Sequence, residues 1–209
     1  MKAVLLAAGL GSRLRPLTNK VPKCLVTVND KTMLQFWIEK VQDAGVKDIL
    51  INTHYKAEVV TEFLGDFSNQ KDISIKLSHE KQLLGTAGTL ENNKEWLSDG
   101  GGFFCLHVDN YTDINLCDML RHHHLRRNDC VITIATFRTD SPKSCGIVNV
   151  DENGIVRKFT EKPMLPEGNL ANGAIYLMEE EVLDLIAELP DGLKDISNDV
   201  LPLFVNRMQ

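Results

Sequence analysis

The sequence predicts an α/β protein with a mostly parallel, twisted sheet and helices on both faces. Two observations carry that expectation. From the N-terminus to about Phe137, apolar strand-like runs alternate with amphipathic helical segments, and repeated strand–helix units build parallel sheets covered on both sides. Two of the runs, KAVLLAA (Lys2–Ala8) and FFCLHV (Phe103–Val108), read as buried strands that lead into loops bearing glycine or carboxylate. In such sheets ligands bind beyond the carboxyl ends of the strands. The loops that matter are therefore Gly9–Lys23, Asn52–Lys56, Glu80–Gly88 and Asp109–Asp113.

The elements follow in order. Lys2–Ala8 is the first strand. Met33–Ala44 is a helix, with Leu34, Trp37, Ile38 and Val41 on one face. Thr32 and Gln35 give it a capping-box start, and Gly45 stops it. Asp48–Asn52 is a strand, Ala57–Leu64 a helix and Ile73–Leu77 a strand. A helix runs from about Ala87 to Leu97. The strand Phe103–Val108 and a helix over Ile114–Arg127, capped by Asp113, come next, and Cys130–Phe137 is a strand. After Phe137 the rhythm changes: CGIVNVDENGIVRKFTEKP reads as two strands around an Asn153–Gly154 turn. GAIYLM is a further strand, and helices near Glu179–Leu189 and Asn198–Val205 close the chain.

The chain has 209 residues, 43% hydrophobic and 25% charged, as in an ordinary globular protein. One domain spanning 1–209 is expected. A net charge of −6 argues against a nucleic-acid surface. No run reaches the roughly 18 apolar residues of a membrane span, and the N-terminal apolar run is too short for a signal peptide. Five cysteines, an odd number with no C-x-x-C, predict reduced thiols in a cytoplasmic compartment. Homo-oligomerisation is left open.

The loop Gly9–Lys23 admits three readings. It lacks the G-x-x-x-x-G-K-[ST] of a Walker A loop. It also lacks the third glycine and continuous helix of a dinucleotide turn, because Leu14, Pro16 and Pro22 intervene. A plain turn with a solvated basic face is the bland alternative. In the third reading, Gly9 and Gly11 let backbone N–H groups approach an anion closely. Arg13 and Lys23 then bring cationic donors to a chain of phosphates.

The segment LAAGLGSRLRPLTNKVPKCLVTVNDKTM (Leu6–Met33) resembles the signature of the sugar-1-phosphate nucleotidylyltransferases. The resemblance continues through LLGTAGTL, VDNYTD, EKP and NGAIY. It implies a Rossmann-like sheet of the nucleotide-diphospho-sugar transferase type. The implied reaction joins an NTP and a sugar 1-phosphate, with Mg²⁺ as cofactor, to give an NDP-sugar and pyrophosphate. GTP with mannose or heptose 1-phosphate is favoured by LGTAG and KDISNDVLPLF. Thymidylyl-, uridylyl- and phosphocholine cytidylyltransferases are neighbouring alternatives, and a non-catalytic nucleotide-binding subunit is another.

Carried over residue by residue, the resemblance implies catalysis by Arg13, Lys23 and Asp109, with Asp109 holding the metal. It implies nucleotide binding by Leu6, Ala8, Gly9, Gly11, Glu80, Gly85 and Thr86. Sugar-phosphate binding falls to Gly146, Glu161, Lys162 and Asn172. Thr86 reads equally as a helix cap. NGAIY departs from the family's N-A-G-I-Y by exchange of glycine and alanine. The family's second metal-binding aspartate, in a segment beyond the last helix, has no match, and Asp195 and Asp199 read as caps. RHHHLRR is expected to be a solvated helix, because consecutive histidines face different ways and cannot share one ion.

Overall fold

The computed structural model of the chain describes residues 1–68, 73–98, 101–192 and 194–209. They form two compact units.

The first unit comprises Met1–Leu83 and Phe103–Cys117. In chain order it holds β1 (Lys2–Leu6), the two-residue strands β2 (Thr27–Val28) and β3 (Lys31–Thr32), α1 (Met33–Asp43), β4 (Asp48–Thr53), α2 (Ala57–Ser68), β5 (Ser74–His79) and β6 (Phe103–His107). The strands run β5-β4-β1-β6, all parallel. Lys2 lies opposite Asp48 on one side and Phe103 on the other. Ala3–Leu5, Ile49–Ile51 and Phe103–Leu106 are all buried. Strands covered on both faces need apolar residues at consecutive positions rather than alternate ones, which explains these runs. This is the Rossmann-like parallel sheet with helices that the alternating pattern predicts.

Helix α1 buries Met33, Leu34, Trp37, Ile38 and Val41, the predicted face with one addition. Thr32 Oγ1 accepts from Gln35 N at 3.1 Å. The Gln35 amide turns to Glu39 instead, so the cap has one arm. Gly45 ends the helix at φ 80°, a conformation that favours glycine. Trp37 Nε1 donates to Asn110 O at 2.9 Å, so the buried face of α1 also fixes the loop after β6. The next helix is capped by Asn115, whose Oδ1 accepts from Cys117 N at 2.9 Å. The cap therefore falls two residues later than Asp113, because the helix itself starts later, at Leu116.

The second unit comprises Leu84–Gly102 and Asp118–Gln209. It holds α3 (Thr86–Asn92), α4 (Lys94–Leu97), most of α5 (Leu116–Leu125), β7 (Ile132–Arg138), β8 (Gly146–Val150), β9 (Val156–Glu161), β10 (Leu170–Met178) and α6 (Glu181–Glu188). Its strand pairs are antiparallel: β10 with β7 and with β8, and β8 with β9. The β8–β9 turn is tied by Asp151 Oδ1, which accepts from Asn153 N and Ile155 N, and Gly154 takes φ 78°. The helix expected over Ala87–Leu97 is two helices. Asn93 breaks it at φ −116° and turns its amide back to Thr89 O. The last expected helix is a π-helical turn, Ile196–Val200, followed by a 3₁₀ turn, Leu201–Phe204, where Pro202 has no N–H to extend an α-helix. No helix among the described residues is long and apolar enough to cross a membrane.

The solvated-helix expectation for RHHHLRR needs correction at its middle histidine. His122 and His124 are exposed, but His123 is 2% exposed. Its Nε2 lies 3.0 Å from Glu179 Oε1 and its Nδ1 2.7 Å from Thr133 Oγ1. Glu179 only accepts, so Nε2 carries the hydrogen and Nδ1 accepts from the threonine. Arg126 pairs with the same carboxylate and donates to the carbonyls of Cys130 and His123. Burial, helped by the Arg126 charge, pushes the imidazole down from 6.5 to about 4 against the opposing pull of Glu179. The folded protein thus favours neutral His123, and its contribution is complete above pH 6.5 and declines as the pH falls toward 4. In urea unfolding, the stability advantage of wild type over His123→Gln should be largest near neutrality and narrow across that window.

Candidate active site

In the first unit, the chain leaves β1 at Leu6 and winds through three 3₁₀ turns, Ser12–Leu14, Leu17–Asn19 and Lys23–Leu25. Pro16 and Pro22 each precede one of these turns, so the loop is short turns rather than helix, as the prolines require. Gly11 has φ 64°, and a Cβ there would lie 2.8 Å from Thr18 Cγ2 and 3.1 Å from Lys23 Cβ. The buried Thr18 donates its hydroxyl to Gly11 O at 2.7 Å. Gly11 is thus the point where the loop folds back on itself. Gly9 is exposed, with open space where a Cβ would stand. Arg13 is exposed on the first turn.

Lys23 reaches Asp109, and the two form an ion pair. Burial pushes the Asp109 carboxyl up. The hydrogen bond and charge of Lys23, with the nearby His107, more than offset this and hold it below its ordinary value. Asp109 is therefore an anion at neutral pH, beside a cation at the mouth of the sheet. Its oxygens are hard donors of the kind Mg²⁺ takes. Its side chain is 38% exposed, enough for a second ligand to reach it. Among the described residues no three metal-ligating side chains gather. Cys24, next to Lys23, is buried, and burial pushes its thiol up to about 12.

Behind the loop stand two buried polar residues, Asn52 (4% exposed) and Glu80 (3%). Asn52 Oδ1 accepts from Ala7 N at 2.6 Å and Ala8 N at 3.3 Å, and its Nδ2 donates to Glu80 Oε1 at 2.9 Å. Sequence reasoning included Glu80 and missed Asn52. The available signal was an amide at the end of the apolar run ILIN, where burial demands a partner.

In the second unit, the LGTAG segment is held by the stretch after residue 193. Gly85 has φ 81°, and a Cβ there would lie 2.3 Å from Lys194 O. That carbonyl accepts from Ala87 N and Gly88 N, filling the start of α3. Thr86 Oγ1 donates to Asp195 Oδ2 at 3.0 Å and accepts from Ile196 N at 2.8 Å, so it is a tether rather than a cap. Asp195 does cap the turn that follows, through Asn198 N, and Asp199 bonds back to Asp195 N.

Pairing of β8 with β9 sets Gly146 opposite Glu161. A Cβ at Gly146 would lie 2.6 Å from Glu161 Oε2. Lys162 adopts φ 44° with its N–H on Cys145 O, and its ammonium lies 3.5 Å from Glu161 Oε1. Gly146, Glu161 and Lys162 thus form one cluster. Asn172 belongs to a bulge in β10. It accepts from Ala174 N and donates to the Tyr176 hydroxyl, both at 2.8 Å.

A profile of the family described as nucleotidyl transferase matches residues 2–209. The chain belongs to that family. Mannose-1-phosphate guanylyltransferase 1 of Arabidopsis thaliana is 39% identical to it over 197 residues, 93% of this chain and 54% of that protein. Mannose-1-phosphate guanyltransferase of Schizosaccharomyces pombe is 33% identical over 212 residues, 100% of this chain and 57% of that protein. The chain therefore spans about half the length of these curated relatives. Its fold is shared with UDP-glucose pyrophosphorylase complexed with UDP-glucose, at TM-score 0.80 and 20% identity, covering 99% of this chain and 87% of that one. It is also shared with HddC from Yersinia pseudotuberculosis complexed with GMP-PN, at TM-score 0.79 and 23% identity, covering 100% and 88%.

The exchanged pair in NGAIY has a physical reading in this nucleotidyl transferase. Ala174 sits at φ 51°, where an L side chain is strained. At Gly173 a Cβ would lie 2.9 Å from the Ala135 carbonyl oxygen. Glycine is required at 173 and would also be tolerated at 174. Ala174→Gly should raise unfolding stability by about 0.5–1 kcal/mol, the left-handed cost of alanine less the entropy of glycine. Gly173→Ala should lower it, both read by chemical denaturation.

Proposed function

We propose that this nucleotidyl transferase moves a nucleotidyl group from an NTP, GTP by preference, to a sugar 1-phosphate of the mannose or heptose type, releasing pyrophosphate. The observation that carries the reading is the Lys23–Asp109 pair at the carboxyl end of the parallel sheet. It joins a cation for phosphate to a carboxylate for a phosphate-borne ion, beside a glycine loop. The base and the mannose type follow the names of the guanylyltransferase relatives, and the heptose type follows the resemblance of LGTAG and KDISNDVLPLF.

An oxygen of the sugar phosphate attacks the α-phosphorus in line, and the bond from α-phosphorus to the bridging oxygen breaks. The nucleophile is already an anion, so positioning and charge stabilisation supply the catalysis. In the first unit Leu6, Ala8, Gly9 and Gly11 belong to the nucleotide's site, and Glu80 stands behind them, accepting from Asn52 Nδ2. Arg13 grips the β- and γ-phosphates and stabilises the leaving pyrophosphate. Lys23 neutralises charge at the α-phosphate. Mg²⁺, when bound, would lower the charge of the triphosphate, and Asp109 would hold it. In the second unit Gly85 and Thr86 serve the nucleotide. Lys162 anchors the attacking phosphate, while Gly146, Glu161 and Asn172 serve the sugar. The five free cysteines suit a reducing, cytoplasmic setting.

Lys23→Ala and Asp109→Ala should each lower kcat/KM by about a hundredfold or more while keeping the circular dichroism of the wild type. Rates near wild type in either variant would remove the pair from the mechanism. Pyrophosphate release from a matrix of NTPs and sugar 1-phosphates should single out GTP with one hexose or heptose 1-phosphate. A different productive pair would reassign the base or the sugar.

A further inference from the structure

We infer that Asn52, backed by Glu80, is a positioning residue that aims the entrance of the phosphate loop. The inference rests on the reading of Gly9–Lys23 as the nucleotide's loop. Beyond Leu6 the amides of Ala7 and Ala8 both converge on Asn52 Oδ1, at 2.6 and 3.3 Å. Asn52 lies on the neighbouring strand β4, opposite Leu6 in register, so the acceptor is delivered by the sheet itself. Two consecutive N–H groups on one fixed oxygen set the direction in which the chain enters Gly9. The amides that a phosphate meets therefore begin at Gly9, and their aim is inherited from Asn52.

An asparagine amide can present either its oxygen or its nitrogen. Glu80 decides the matter. Its Oε1 accepts from Asn52 Nδ2 at 2.9 Å, and a carboxylate has no hydrogen to give. The nitrogen must face Glu80, and the oxygen must face Ala7 and Ala8. Glu80 is itself fixed, with its N–H on Thr53 O at 2.8 Å and its carbonyl 2.8 Å from His54 Nδ1. Glu80 thus acts on the nucleotide through Asn52 and not by contact with the base.

The test exchanges amide and carboxylate. Asn52→Asp sets two carboxylates against each other, and like charges in a buried pair resist joint ionisation. Calorimetric titration with GTP and Mg²⁺ at about pH 8 should show about tenfold weaker binding, a single lost arrangement of this size. Lowering the pH to about 6 should recover affinity relative to wild type, because one shared proton restores a donor toward Glu80. The double variant Asn52→Asp, Glu80→Gln keeps one amide and one carboxylate, with their places exchanged, and should bind within about threefold of wild type at both pH values. Equal affinity of Asn52→Asp and wild type at the higher pH would overturn the inference. So would failure of the double variant to recover, which would make the Glu80 carboxylate a ligand contact. Failure of the wild type to bind GTP would instead overturn the proposed function. The relay is then read without ligand: hydrogen exchange at the Ala7 and Ala8 amides should be protected in wild type and in the double variant and fast in Asn52→Asp, and equal rates would overturn it.

Discussion

Strand β1 is paired on both edges and covered on both faces, and this double confinement dictates what the chain must do on leaving it. Inside the sheet, Lys2–Leu6 has neighbours in β4 and β6 for its backbone groups. The Leu6 carbonyl still finds one, accepting from Val108 N. One residue further on, the amides have no strand to meet, yet the chain is still flanked by buried structure. An unpaired buried N–H costs about 1–3 kcal/mol, so a partner has to be supplied from a side chain. The sheet supplies Asn52 from the adjacent strand. The direction in which the chain enters the glycine loop is set there, by the two amides that converge on Asn52 Oδ1.

The Lys23–Asp109 pair shows how two loops of one sheet can be calibrated against each other. Lys23 is steered by the 3₁₀ turn over buried Cys24, and Asp109 by the loop whose Asn110 carbonyl is held by Trp37. Tyr111 adds a second hold, its ring tilted against Phe36 with centroids 4.8 Å apart and its hydroxyl accepting from Asn29 Nδ2. Both charges stand at positions set by apolar packing, and each is partly neutralised by the other. Lys23 can exchange Asp109 for an incoming phosphate, and the carboxylate so released would then need a cation of its own, which a phosphate-borne metal ion would supply.

Much of this was legible in the residues. Period and composition located β1, α1, β4 and β6 to within a residue or two, because long apolar runs and a single helical face admit few readings. The glycine loop declared itself through Gly9 and Gly11 followed by Arg13 and Lys23, and the left-handed, crowded backbone at Gly11 agrees with a glycine there. What stayed hidden depended on partners distant in sequence. Asn52 is one polar residue in an apolar run until Ala7, Ala8 and Glu80 are seen around it. His123 reads as one of three equivalent histidines until the helix is turned toward Thr133 and Glu179. Thr86 reads as a nucleotide contact or a helix cap, because threonine before a helix often caps it. Its actual partners, Asp195 and Ile196, lie 109 and 110 residues away, where no local pattern points.

The carbonyl of Lys194 at the start of α3 carries a consequence for how the protein is made. The first amides of a helix must be satisfied from outside it, and for Ala87 and Gly88 the supplier is synthesised more than a hundred residues later. Its side chain is likewise spent within the same unit, on Glu91 and the Ile186 carbonyl. On the ribosome, the LGTAG turn emerges first and stands without its cap until the later segment follows. Gly85, shaped to receive a backbone that does not yet exist, keeps that place open. The turn is finished only when residues 194–196 emerge and close over it.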